Sequence, residues 1–280
     1  MTDITIITDS TCDLPADLLR RHQIVVVPLY VLWGDEELCD GVDIDNDTFY
    51  ARLPQDPVHP KTSQPTPGDF VRAIERASAD EVLIITLSAA LSGTHDSALQ
   101  ARDAVDLPVH VVDSRSLSMG LGWQILAAAR EREQGGDVYA MIAAAEAVRE
   151  RLSLLLTVDT LEYLHRGGRI GAAAKLLGSV VQLKPVLEID PDTGVIEVVS
   201  KIRTRKRALR EVIDETFRRL NATSPLCAGV LHGAAPEDAQ TLVEGIKSRG
   251  NLQELMVSQI TPVLGVHGGP GVVGVAAYNS

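Results

Sequence analysis

Four apolar runs, each followed by a helical pattern, constrain the first half of this 280-residue chain more than any other feature. They cover residues 4–8, 24–32, 82–87 and 109–112. Runs so rich in Val and Ile read as strands covered on both faces. The intervening helices carry their own start signals. Pro15 opens a short helix to about His22, with Asp13 as its expected N-cap. Thr66-Pro67-Gly68-Asp69 opens another to about Ala77, with a Thr cap, Pro at the first helical position and an acid three residues after the cap. Further helices are expected to about Ala104, to about Glu133 and over 137–150. Residues 33–68 are polar, with one short helix near 48–53. Strands separated by helices imply right-handed crossovers and a mostly parallel sheet, whose ligands sit beyond the carboxyl ends of the strands.

The second half changes rhythm. A strand over 152–158 and a helix ending near Gly167-Gly168 precede strands over 184–189 and 195–202. These flank Asp190-Pro191-Asp192-Thr193-Gly194, a hairpin signal. Helices over 206–220 and 236–249 and strands over 226–231, 255–260 and 272–278 complete an α+β pattern. The length suits two domains. The expected fold class is α/β: domain 1–155 has a mostly parallel sheet with helices on both faces, and domain 156–280 is α+β.

Charge and composition exclude several functions. Lys plus Arg number 26 against 38 for Asp plus Glu, a formal charge of −12 that opposes non-specific nucleic-acid binding. Phe 3, Tyr 5 and Trp 2 are too few for a base-stacking platform. Cys12, Cys39 and Cys227 are scattered, without the spacing of a disulfide framework or a zinc site. No signal-peptide pattern opens the chain and no apolar run approaches a membrane span. A reduced, cytoplasmic, soluble protein is therefore expected, with no metal.

Three strands run into Ser/Thr/Gly loops that open helices, after Thr8, Leu87 and Val112. Each could cap a helix or turn backbone N–H groups toward an anion. Leu91-Ser92-Gly93-Thr94 is the best such candidate, because Gly93 permits close approach. Thr62 and Ser63 in Lys61-Thr62-Ser63-Gln64-Pro65 are held extended before Pro, which suits hydrogen bonding to a carboxylate, or simply a polar linker. In Arg166-Gly167-Gly168-Arg169 the glycines end a helix and redirect Arg169, a bidentate anion clamp or a cation for the helix dipole. Gly269, Gly271 and Gly274 spell G-x-G-x-x-G, but a strand follows where the dinucleotide fingerprint needs a helix, so the glycines are expected to shape a loop presenting His267. No phosphate loop, G-x-S-x-G elbow or H-E-x-x-H is present. Lys201, Arg203, Arg205, Lys206, Arg207 and Arg210 form a basic cluster, either a solvated face or a dock for an acidic partner.

At these loops the chain resembles the DegV family of bacterial fatty-acid-binding proteins. The matching stretches are Ile7-Thr8-Asp9-Ser10-Thr11-Cys12-Asp13-Leu14-Pro15, Lys61-Thr62-Ser63-Gln64-Pro65, Leu91-Ser92-Gly93-Thr94, Val112-Asp113-Ser114, Gly167-Gly168-Arg169-Ile170, Lys184-Pro185 with its hairpin, and His267-Gly268-Gly269-Pro270-Gly271. They run in the family's order along the whole chain. Ala89-Ala90 and Arg166 depart from the family pattern without touching the proposed contacts. The resemblance implies a two-domain fold with a long acyl chain, such as that of palmitate, buried between or beneath the domains. It implies a carboxylate held by Thr62 and Ser92, with Ser63, Gly93 and Thr94 beside them and Arg169 and His267 in the network. It also implies a non-catalytic carrier without a cofactor, whose bound fatty acid is phosphorylated by a separate ATP-binding kinase subunit. Arg203, Arg205, Lys206 and Arg207 would dock that subunit. A monomer with at most transient membrane contact is expected, serving fatty acid metabolism and phospholipid synthesis. The alternatives are a self-sufficient acyl hydrolase or transferase using Ser92 with His267, and a nucleic-acid-binding regulator using residues 201–210.

Overall fold

The computed structural model describes residues 3–177 and 183–280. Its first half contains β1 (Ile4–Asp9), α1 (Ala16–Arg21), β2 (Ile24–Val27), β3 (Tyr30–Trp33), β4 (Glu36–Cys39), α2 (Asn46–Arg52), β5 (Lys61–Ser63), α3 (Pro67–Ala77), β6 (Glu81–Thr86), α4 (Thr94–Arg102), β7 (Val109–Asp113) and α5 (Ser118–Glu133). Strands β2-β1-β6-β7 form a parallel sheet. Ile6, Leu83 and Ile85 belong to the core on one face, and Ile7, Val82 and Ile84 to the core on the other. This is the two-residue strand period with both faces covered. Helices α3 and α4 cover one face and α5 the other. Thr66 and Asp69 form the expected capping box at the start of α3.

Residues 24–32 are two strands, not the single strand expected. Pro28 has no N–H for a ladder, so the chain leaves the parallel sheet after Val27. Strand β3 then joins a separate antiparallel sheet, β4-β3-β5, whose other two strands lie in residues expected to hold only one short helix. Asp13 does not cap α1. Pro15 occupies that position without a side-chain bond, while Asp13 takes a left-handed conformation at φ 51°.

The second half contains α6 (Val138–Arg151), β8 (Ser153–Thr157), α7 (Glu162–Arg166), β9 (Val186–Ile189), β10 (Ile196–Ser200), α8 (Arg205–Arg219), β11 (Pro225–His232), α9 (Pro236–Lys247), β12 (Asn251–Gln259), α10 (Pro262–Gly268) and β13 (Val273–Asn279). Its mixed sheet runs β10-β9-β8-β13-β11-β12; only β11 and β12 pair in parallel. Leu154, Leu156 and Ala276 share the core with α5, and Leu155, Val273 and Val275 pack with α8 and α9. Trp123 of α5 donates from Nε1 to the Ala276 carbonyl at 3.0 Å. The layers thus run α3/α4, parallel sheet, α5, mixed sheet, α8/α9. Helix α10 replaces the loop expected around His267: Pro262 starts it, and Val263, Leu264 and Val266 bury its apolar side. Among the described residues, no helix is long and apolar enough to cross a membrane.

Candidate functional site

A narrow slot lies where the two halves meet. Leu87 and Leu117 from the first half and Leu156, Ile189, Leu231 and Val263 from the second line it. Thr62, Ser92, Arg169 and His267 line the same slot. The void is about 770 Å³ counting its mouth, of which about 90 Å³ can hold the centre of a water molecule. The second figure is the one to set against known cavities, and it lies below the ~300–1,000 Å³ of small-molecule sites, so the slot is tight.

Each polar group arrives on a different element. Thr62 lies on β5 opposite Val31, and its Oγ1 is 2.9 Å from His267 Nε2 on α10. Burial, with Arg169 and His59 nearby, lowers the His267 pKa to about 4, so the ring is neutral at pH 7. Its Nδ1 is buried without a partner. Gly167 makes room for this ring, since a Cβ there would overlap Nδ1. Gly168, at φ 69°, turns the chain after α7. Arg169 is exposed; its Nε donates to the Leu91 carbonyl at 3.1 Å and its Nη1 to Gly167 at 2.8 Å. That bond ties the end of α7 to the loop carrying Ser92. Ser92 Oγ lies 2.9 Å from Thr94 Oγ1.

Not every expected residue reaches the slot. Ser63 Oγ donates to the Gln64 carbonyl at 3.3 Å, and Ser63 does not line the slot. Gly93 and Thr94 stand behind Ser92: the close approach at Gly93 is to the Gln64 side chain, and Thr94 is fully buried. The loop after β1 is no anion site. Asp9, Asp13 and Asp40 are buried there, and Thr11 and Ser10 give their hydroxyls to Asp9 and Asp40 at 2.6 Å each. The loop after β7 spends its polar groups within the chain; Ser114 Oγ donates to the Ser116 carbonyl at 3.3 Å and Arg115 Nη1 to the Asp192 carbonyl at 2.9 Å. Ser118 lines the slot without having been expected, because nothing in the sequence marks its left-handed backbone or its bond to Asp13. Ser92 pairs with Thr94 and His267 with Thr62, so these two do not form a serine–histidine nucleophile pair.

The basic cluster separates into two roles. Arg205 is half-buried, ion-paired with Asp238 and bonded to the Gly271 carbonyl. It is occupied holding α8, so the expectation that it docks a partner is corrected. Lys201, Arg203, Lys206, Arg207 and Arg210 are exposed.

The sequence model of the DegV family, described as an uncharacterised protein family, matches residues 3–280. The chain belongs to the DegV family. A DegV domain-containing protein of Streptomyces coelicolor is 40% identical over 277 residues, covering 97% of each chain. A DegV-family protein from Thermus thermophilus, described for its fatty acid binding, superposes with a TM-score of 0.93 at 34% identity, over 99% of this chain and 100% of that one. DegV from Bacillus subtilis, described as a fatty acid binding protein, gives 0.92 at 30% identity over 100% of both chains. These likenesses agree with the mixed α/β fold and its parallel sheet.

Proposed function

We propose that this DegV-family protein is a cytoplasmic, monomeric carrier for a long-chain fatty acid such as palmitate, presenting the carboxylate to a separate ATP-binding kinase subunit. The observation that carries this reading is the slot itself, apolar along its walls and furnished with Thr62, Ser92, Arg169 and His267. A dozen buried methylenes contribute about 10 kcal/mol before ordering costs. Each hydrogen bond to the charged head adds about 1.5–3 kcal/mol. The tail therefore supplies most affinity, and the polar groups fix where the head lies. In the tautomer that carries its proton on Nε2, His267 donates to Thr62 Oγ1 and frees the Thr62 hydroxyl proton for the carboxylate. The exposed guanidinium of Arg169 balances the carboxylate charge at the mouth.

Phosphorylation needs no base in this chain. An ionised carboxylate oxygen attacks the γ-phosphorus of ATP held by the kinase, the new C–O–P linkage forms, and ADP leaves with the electrons of the broken P–O bond. A neutral His267 is sufficient for that role. The partner surface is the exposed basic group around the start of α8. The first turn of that helix contains Arg205, Lys206 and Arg207, no acid and no side-chain cap. Cations at a helix N-terminus oppose its dipole; Arg205 is held by Asp238 and Gly271, whereas the exposed Lys206 and Arg207 cost helix stability and are better accounted for by an acidic partner.

The test combines protein, palmitate, ATP and the kinase subunit from the same cell, and traps acyl phosphate with hydroxylamine. Product should need both proteins, and Arg203→Glu with Arg207→Glu should slow it while palmitate binding stays unchanged. Product formed by this chain with ATP alone, or none with the kinase present, would overturn the reading.

A further inference from the structure

Helix α10 is short and carries His267 in its last turn. Seven residues are too few to hold a helix by local propensity, so its position is set by what grips its ends. One end is gripped through the His267–Thr62 bond. The other end offers the N–H groups of Thr261 and Val263, since Pro262 has none. Thr261 stands at the N-cap position, yet its own side chain makes no cap. Two remote acids take the role instead. Asp13 Oδ1 accepts from Thr261 N at 2.9 Å, and Asp40 Oδ1 accepts from Val263 N at 3.1 Å. Their other oxygens are also engaged: Asp13 Oδ2 accepts from Ser118 Oγ in the slot wall, and Asp40 Oδ2 accepts from Ser10 Oγ at 2.6 Å.

Asp13 and Asp40 are 7% and 2% exposed. Burying two neighbouring acids is expensive even when both are hydrogen-bonded, and a threonine cap was available at no such cost. What the two acids add is a connection between the first half of the chain and a helix of the second. Asp9, at the end of β1, acts within the first half, on the other arm of the site. Its Oδ2 accepts from Leu87 N at 2.8 Å, where the loop leading to Ser92 begins.

We propose that Asp13 and Asp40 are positioning residues for the head-group site, capping α10 from the other half of the molecule and so fixing His267 against Thr62. The role in ligand binding rests on the fatty-acid reading above; the capping of α10 does not. Asp40→Ala removes one cap. Asp13→Gly removes the other while keeping a residue suited to the left-handed backbone. Asp40→Asn can still accept from Val263 N and serves as the rescue. Imidazole ¹⁵N spectra of the ligand-free proteins report on His267, and calorimetric titration with palmitate reports on the site.

The ring resonances of His267 should move in Asp40→Ala and in Asp13→Gly. Palmitate affinity should fall about tenfold in both, the size of one hydrogen bond to a charged group. Asp40→Asn should restore the resonances and most of the affinity. Should Asp40→Ala fail to fold, Asp13→Gly decides. Folded variants with His267 at its wild-type resonances overturn the proposal, whatever their affinity. A wild-type protein that takes up no palmitate overturns the fatty-acid reading instead, and the ligand-free spectra still decide whether the two acids hold α10.

Discussion

Replacing Thr62 by Val removes one hydroxyl at nearly constant shape, and its consequences separate the head-group account from a general packing role. Thr62 Oγ1 lines the slot and lies 2.9 Å from His267 Nε2. Losing one hydrogen bond to a carboxylate costs about 1.5–3 kcal/mol, or about 10- to 150-fold in affinity at ~1.4 kcal/mol per decade. The buried tail, about 10 kcal/mol gross, is untouched, so palmitate should still bind, only more weakly. Hexadecanol has the same chain but a neutral head, whose hydrogen bond is worth about 0.5–1.5 kcal/mol. Calorimetric titration of delipidated Thr62→Val should therefore show a loss for palmitate about fivefold greater than for hexadecanol. The melting temperature should fall by a few degrees at most, since a net loss of about 1 kcal/mol shifts a chain of this size little. Equal losses for acid and alcohol, or no loss for either, would refute the assignment of Thr62 to the carboxylate.

Three further outcomes follow from the geometry. Gly167→Ala puts a Cβ onto His267 Nδ1; it should cost about 1–3 kcal/mol in urea unfolding and weaken palmitate binding, and unchanged values for both would show that the ring is not confined there. Leu156→Trp fills the slot from β8 and should abolish palmitate uptake with the melting temperature unchanged or raised, whereas normal uptake would place the tail elsewhere. Two groups give opposite pH slopes. Folded His267 takes its proton near pH 4 but unfolded near 6.5, so its contribution to stability is complete above 6.5 and lost as pH falls to 4; folded Asp13 keeps its proton to about pH 8 but loses it near 3.8 unfolded, so its contribution is lost as pH rises through that window. Burial is the main cause of both shifts, and urea midpoints of His267→Asn and Asp13→Asn against pH should each lack one of these slopes; variants that track the wild type would remove the assignment.

Much of the fold was legible because its signals are local. The Thr66–Asp69 capping box, the helix expected over 137–150, the 190–194 hairpin and the long α5 are each set by residues within a turn or two. Thr62, Ser92, Arg169 and His267, which line the slot, stand out in the sequence through loops whose residue types suit an anion and through the family resemblance. What escaped depends on distant partners. Strands β4 and β5, of four and three residues, exist only because β3 lies between them. Helix α10 contains Gly265 and ends at Gly268, poor helix formers whose place is taken by remote caps. Asp13 was read as a local N-cap because sequence spacing cannot show a bond across 248 positions to Thr261. Arg205 was grouped with its basic neighbours because its ion pair with Asp238 is equally remote.

Native mass spectrometry of the gently purified chain, before and after incubation with palmitate, addresses the central claim with least intervention. A bound species heavier by one long-chain fatty acid, released as free acid on denaturation and missing from Leu156→Trp, is the predicted result. A bare polypeptide mass in both samples would contradict it.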